Sequence, residues 1–185
     1  KGGDPFLFGR GGEELELLAQ HGVSFEEVPG ITSAISAPAY GGIPVTHRDC
    51  CSSLHIVTGH QRAGKELDID FEALVRTKGT LVFLMGVSAL PQICRGLLDA
   101  GMEPAMPAAV VERGTTPAQR RISATLGTLP AVAEEAQVVS PAVIVVGKVC
   151  ALAEDFDWFD KLPLKGKRVV VTRPRGRAGT LSARL

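Results

Sequence analysis

The first fourteen residues, Lys1-Gly2-Gly3-Asp4-Pro5-Phe6-Leu7-Phe8-Gly9-Arg10-Gly11-Gly12-Glu13-Glu14, gather the residue types that hold a small molecule. Glycine has no Cβ, so the backbone comes close to a ligand and turns through positive φ. Asp4 offers a carboxylate to a ribose hydroxyl or an amine, and Pro5 biases it towards an extended or turn conformation. Arg10 offers a two-pronged donor for a carboxylate. Glu13 is either a base or orienting carboxylate, or a favourable charge at a helix N-terminus.

Other segments carry candidate chemistry. Thr32 and Ser33 open the small-residue stretch Thr32-Ser33-Ala34-Ile35-Ser36-Ala37, where a ligand or another helix can approach closely. His47 and Arg48 follow a Gly41-Gly42-Ile43-Pro44 turn. Met85 closes an apolar strand, as core filler or as a surface for an adenine or thioether. Gly114 and Thr115 follow another strand end, and Ser140-Pro141-Ala142 enters the last strand. Their common placement beside strand ends is the informative feature, because open α/β sheets bind ligands there.

The elements that must position these residues read as alternating strands and helices. Strands are expected at Leu54–Gly59, Thr80–Gly86, Ala108–Glu112, Arg121–Leu126 and Ala142–Gly147. Helices are expected from Gly12, from Thr32 as cap, from Asp70, from Ser88 as cap, and over Pro130–Ala136, with Gly101 ending the fourth. The alternation predicts an α/β layer architecture. The short link before Arg121 predicts one antiparallel pair in a mixed sheet.

Composition narrows the function classes. The chain has 185 residues, 45% of them hydrophobic, enough for a sizeable core. Its net charge of zero gives no support for nucleic-acid binding through bulk charge. No apolar run approaches the roughly 20 residues that cross a bilayer, so no membrane partner is expected. Cys50, Cys51, Cys94 and Cys150 show no C-x-x-C spacing. They read as reduced, mostly buried thiols of a cytoplasmic protein, and no metal site is expected.

The ordered motifs Gly2 to Glu14, Pro29-Gly30-Ile31-Thr32-Ser33-Ala34, Ala39 to Arg48, Val82-Phe83-Leu84-Met85-Gly86-Val87, Glu112 to Arg121 and Ser140 to Val149 resemble the uroporphyrinogen-III C-methyltransferases of the tetrapyrrole methylase family. The resemblance covers roughly residues 1–149. It implies two α/β domains with S-adenosyl-L-methionine bound between them, a homodimer, and methylation of two pyrrole rings of uroporphyrinogen III to give precorrin-2. S-adenosyl-L-homocysteine is the second product. Carried over position by position, it implies cofactor contacts at Gly2, Gly3, Asp4, Leu7, Thr32, Ser33, Met85, Gly114 and Ala142. Arg10, His47 and Arg48 would bind the polycarboxylate substrate, with Arg10, Glu13 and Arg48 as the catalytic set.

The resemblance also implies domain limits. Residues 1–45 would be the C-terminal part of a first methylase domain, incomplete here, and 46–152 the second domain. Residues 153–164 read as a linker. Leu164 to Arg175 resembles the start of the uroporphyrinogen-III synthases, so 165–185 would open a synthase domain, with a strand at Arg168–Pro174. A chain beginning inside its ligand loop is expected to be a fragment, inactive alone. The rival readings are a cobalt-corrin methylase and a non-catalytic tetrapyrrole- or anion-binding module.

Overall fold

The computed structural model describes residues 2–59, 67–172 and 179. Helices α1 (Gly11–Gln20) and α2 (Ser33–Tyr40) precede an alternating series. That series runs β1 (Leu54–Thr58), α3 (Phe71–Thr77), β2 (Thr80–Leu84), α4 (Leu90–Asp99), β3 (Pro107–Glu112), β4 (Arg120–Thr125), α5 (Leu129–Glu135) and β5 (Ala142–Val146). The strands form one sheet in the order β1-β2-β5-β3-β4. Strand β1 runs parallel to β2, while β2–β5, β5–β3 and β3–β4 are antiparallel. The sheet is mixed as expected, with three antiparallel pairs rather than one. The last strand inserts between β2 and β3, a long-range choice that no local pattern encodes.

Side chains alternate across a strand, and the alternation sorts the core into two layers. Leu81, Phe83, Ala108, Val110, Ile144 and Val146 face Leu90, Ile93, Cys94 and Leu97 of α4 and Leu129 and Ala133 of α5. Val82, Leu84, Ala109, Val111, Val143 and Val145 face Ala34 and Ala37 of α2, with Ile43, Val149 and Cys150. Helix-forming segments therefore cover both faces, which explains the almost wholly apolar runs of β2, β3 and β5. Each fully buried large side chain, such as Phe83, contributes about 1.5–3 kcal/mol.

Local signals account for several boundaries. The Thr32 hydroxyl accepts from Ala34 N at 3.3 Å and caps α2. Asp70 Oδ1 accepts from Ala73 N at 2.8 Å and caps α3. Beyond α4, Gly101 at φ 90 donates to Leu98 O while Met102 donates to Leu97 O, a left-handed helix stop. Ser88 does not cap α4. A 3-10 turn at Val87–Ala89 precedes that helix, and Pro91 in its first turn takes over the start, its missing N–H costing nothing there.

The segment expected as a linker is held against the body. Trp158 Nε1 donates to Ala39 O at 3.1 Å, and Tyr40, Trp158 and Phe159 stack edge to face. Lys165 Nζ donates to Gln119 O at 3.1 Å and to Asp160 Oδ1 at 2.6 Å. Residues 167–172 form no strand, because no described strand pairs with them and an unpaired strand lacks its ladder. Residues 173 and 174 of that expected strand, and Lys1, lie outside the described residues.

Candidate active site

Strand directions decide where the site lies. Strands β1, β2 and β3 run the same way and β5 runs against them. The ends of β2 and β3 and the start of β5 therefore share one edge of the sheet. The N-terminal loop and the first turn of α2 complete that edge. The result is a cleft of about 670 Å³, inside the range of small-molecule sites.

All nine positions expected to hold a cofactor line this one cleft: Gly2, Gly3, Asp4, Leu7, Thr32, Ser33, Met85, Gly114 and Ala142. They come from five separate stretches of chain. Sequence reasoning did not single out Phe8, Ser36, Leu84, Val111 and Arg113, which line it too, as does Thr115, expected beside a strand end. Four lining side-chain-bearing residues have positive φ: Phe8 at 53°, Met85 at 55°, Arg113 at 48° and Thr115 at 68°. Backbone in this region is costly and persists where surrounding structure over-determines it, commonly at ligand sites. The sequence signal was a strand end for Leu84, Val111 and Arg113, the glycine loop for Phe8 and the small-residue stretch for Ser36.

Asp4 also shapes the loop that carries it. Its Oδ1 accepts from Phe6 N at 2.9 Å and Leu7 N at 3.2 Å, and its Oδ2 accepts from Gly30 N at 3.1 Å. The carboxylate shapes its own turn and ties it to the loop before α2. On the opposite wall, a Cβ on Gly114 would lie 2.5 Å from the Ala37 Cβ, so only glycine lets the loop after β3 pack on α2.

The substrate candidates divide. Arg10 and Glu13 line a neighbouring cavity of about 690 Å³ with Phe6, Phe8 and Thr58, and Met85 belongs to both cavities. Arg10 Nε and Nη2 donate to Glu13 Oε2 at 2.8 and 2.6 Å. The hydrogen bond and charge of Glu13 hold the exposed Arg10 guanidinium above its ordinary pKa. Arg48 is not brought to this edge. It lines a third cavity with Cys50, Cys51, Thr80 and Lys148, at the start of β2 and the end of β5. His47 lies beside it, 3.9 Å from Asp49 Oδ2. The reason is topological: both residues precede β1, so they emerge at the edge where the parallel strands begin.

The thiols differ as their burial dictates. Burial pushes Cys94 up to about 11 and Cys150 up to about 12. Cys50 and Cys51 are only half-buried, short of the burial expected for them. Burial pushes Cys51 up, but hydrogen bonds from the Thr80 hydroxyl and from backbone at His47, Thr80 and Ser53 outweigh it and leave it below the usual thiol value. Among the described residues no group of three or more His, Cys, Asp or Glu is placed to hold a metal. No described helix is long and apolar enough to cross a membrane.

The lining suits the cofactor that the sequence implies. Leu7, Leu84, Met85, Val111 and Val143 give apolar surface for a base. Thr32, Ser33, Ser36, Thr115 and Thr116 give hydroxyls, and Gly2 faces open space where a Cβ would meet nothing within 4 Å.

Comparison with known proteins gives the chain's relatives. The chain is 59% identical over 185 residues to the porphyrin biosynthesis protein HemD of Ruminiclostridium josui, covering 100% of this chain and 37% of that protein. It is 50% identical over 159 residues to the siroheme synthase of Chromobacterium violaceum, covering 86% of this chain and 34% of the relative. The chain thus spans just over a third of these relatives' length. A crystal structure of uroporphyrin-III C-methyl transferase from Thermus thermophilus, complexed with S-adenyl homocysteine, superposes with a TM-score of 0.70 at 40% identity. That match covers 82% of this chain and 65% of that one. Residues 1–130 match the family of tetrapyrrole (corrin/porphyrin) methylases, and this chain belongs to it.

Proposed function

We propose that this chain is the methyltransferase part of an enzyme that methylates uroporphyrinogen III at two pyrrole rings to give precorrin-2. The observation that carries the reading is the convergence of nine positions, from five stretches of sequence, on one cleft of nucleoside size. The homocysteine-containing nucleoside in the Thermus thermophilus relative supports S-adenosyl-L-methionine as its ligand. When bound, that cofactor supplies an electrophilic methyl group on a sulfonium.

The chain's own residues supply alignment, the main contribution a protein makes to a direct displacement. Asp4 holds the glycine loop in shape, and Thr32, Ser33, Gly114 and Ala142 frame the cofactor. Met85 stands where the two cavities meet, so a macrocycle over Phe6 and Phe8 would adjoin the methyl donor. Arg10 would bind a substrate carboxylate, and Glu13 would orient Arg10. Arg48 and His47 lie a strand's length away, about 16 Å for five residues. Their part at the macrocycle would therefore fall to the other subunit of a homodimer.

We further read the chain as one portion of a bifunctional cytoplasmic polypeptide. Residues 1–45 and 46–152 would belong to two methylase domains, 165–185 would begin a synthase domain, and 153–164 would connect the methylase and synthase parts. The names of the relatives, which include both porphyrin biosynthesis protein HemD and siroheme synthase, support this arrangement. The test is incubation of the polypeptide carrying this chain with methyl-labelled S-adenosyl-L-methionine and uroporphyrinogen III. Label in a dimethylated tetrapyrrole is the expected result; binding without transfer overturns the enzymatic reading.

A further inference from the structure

We propose that Gln119 is a positioning residue that fixes the separation of the two cleft walls from behind, an inference that rests on reading the cleft as the S-adenosyl-L-methionine site. Gln119 is 5% exposed and is not among the residues that line the cleft. Its Oε1 accepts from Thr115 N at 2.8 Å, and its Nε2 donates to Tyr40 O at 2.9 Å. Thr115 belongs to the loop after β3 that forms one wall, where it is held at φ 68. Tyr40 ends α2, whose first residues Ser33, Ser36 and Ala37 form the other wall. One buried amide therefore bridges both walls.

The bridge needs a particular chemistry. One end of the side chain must accept and the other must donate, which glutamine does and an ionised glutamate does not. The same residue is anchored on its main chain: Gln119 N donates to Thr116 O at 3.0 Å, and Gln119 O accepts from Lys165 Nζ. The amide is thus held in place from both sides of the loop. Loss of either hydrogen bond frees one wall from the amide that ties it to the other. The Gly114–Ala37 contact then loses the hydrogen-bonded tie that joins the loop after β3 to the end of α2.

The test measures S-adenosyl-L-homocysteine affinity calorimetrically for the wild type, Gln119→Leu and Gln119→Glu between pH 5 and pH 8, each variant compared with wild type at the same pH. Gln119→Leu, which loses both side-chain hydrogen bonds, is expected to bind at least tenfold more weakly at every pH. Gln119→Glu is expected to be equally weak at pH 8 and to approach wild type as pH falls, because a protonated carboxyl donates to Tyr40 O while still accepting from Thr115 N. A residue that only adds stability gives no such pH-dependent rescue. Wild-type affinity in both variants, or a Gln119→Glu defect independent of pH, overturns the inference. No binding by the wild type overturns the reading of the cleft itself, and this inference with it.

Discussion

Gly30 packs against Gly3 backbone to backbone, so that a Cβ built on Gly30 would sit 2.1 Å from the Gly3 carbonyl oxygen. Gly3 lines the cleft at φ 72, and Gly30 N is the distant partner of the Asp4 carboxylate. Neither residue can move without the other. Gly30→Ala is therefore expected to push the glycine loop off α2 and weaken S-adenosyl-L-homocysteine binding at least tenfold, or about 1.4 kcal/mol. The sheet lies elsewhere, so far-ultraviolet circular dichroism should stay unchanged. Unaltered affinity by calorimetry would contradict this linkage.

Asp4 gives a graded version of the same test. Asp4→Ala removes all three backbone acceptor contacts, and hydrogen bonds to a charged group contribute about 1.5–3 kcal/mol each. Asp4→Asn keeps one carbonyl oxygen. Cofactor affinity should fall in the order wild type, Asn, Ala. Equal affinity for the two variants would place the carboxylate's role in charge rather than in loop shape.

Arg10 and Arg48 predict a complementation experiment. Arg10→Ala and Arg48→Ala should each lose turnover while retaining cofactor affinity. If Arg48 serves the partner's site, mixed dimers of the two variants hold one intact site each. Random mixing under two-fold symmetry should then restore about a quarter of wild-type turnover. No recovery after verified subunit exchange would rule out an Arg48 contribution across the dimer.

Cys150 predicts an alkaline loss of stability. Its folded pKa of about 12 lies above the ordinary 9.0, so the unfolded chain gives up the proton first. The stabilisation is complete below pH 9 and is lost as pH rises from there towards 12. Cys150→Ala should flatten the fall of Tm between pH 8 and pH 10.5 relative to wild type. An identical slope in both proteins would show that the thiol does not titrate on unfolding.

Much of this is legible in the sequence, and the pattern of success has a physical cause. Thr32 and Asp70 announce their helices because capping is local chemistry. Strands β2, β3 and β5 announce themselves because burial on both faces leaves nearly unbroken apolar runs. The nine cleft positions are legible through the resemblance of their motifs to the tetrapyrrole methylases; glycine, small residues and strand ends alone mark only some of them. The insertion of β5 between β2 and β3 is not, since strand order depends on packing across the whole chain. Nor is the work of Gln119, whose partners Thr115 and Tyr40 are joined only by the fold. The position of Arg48 could have been read from chain direction: a residue ahead of β1 emerges opposite the edge where Met85 ends β2.

Placing β5 at the centre also sets a timetable for synthesis on the ribosome. Neighbouring strands β2 and β3 are translated well before the strand that joins them, so each waits with an unpaired hydrogen-bonding edge. Such edges invite pairing with other chains. The nascent protein is most vulnerable in that interval, and the ligand hollow has no floor until residue 146 has left the exit tunnel. Cofactor capture is consequently a late event, and a pause before β5 would lengthen the dangerous stage.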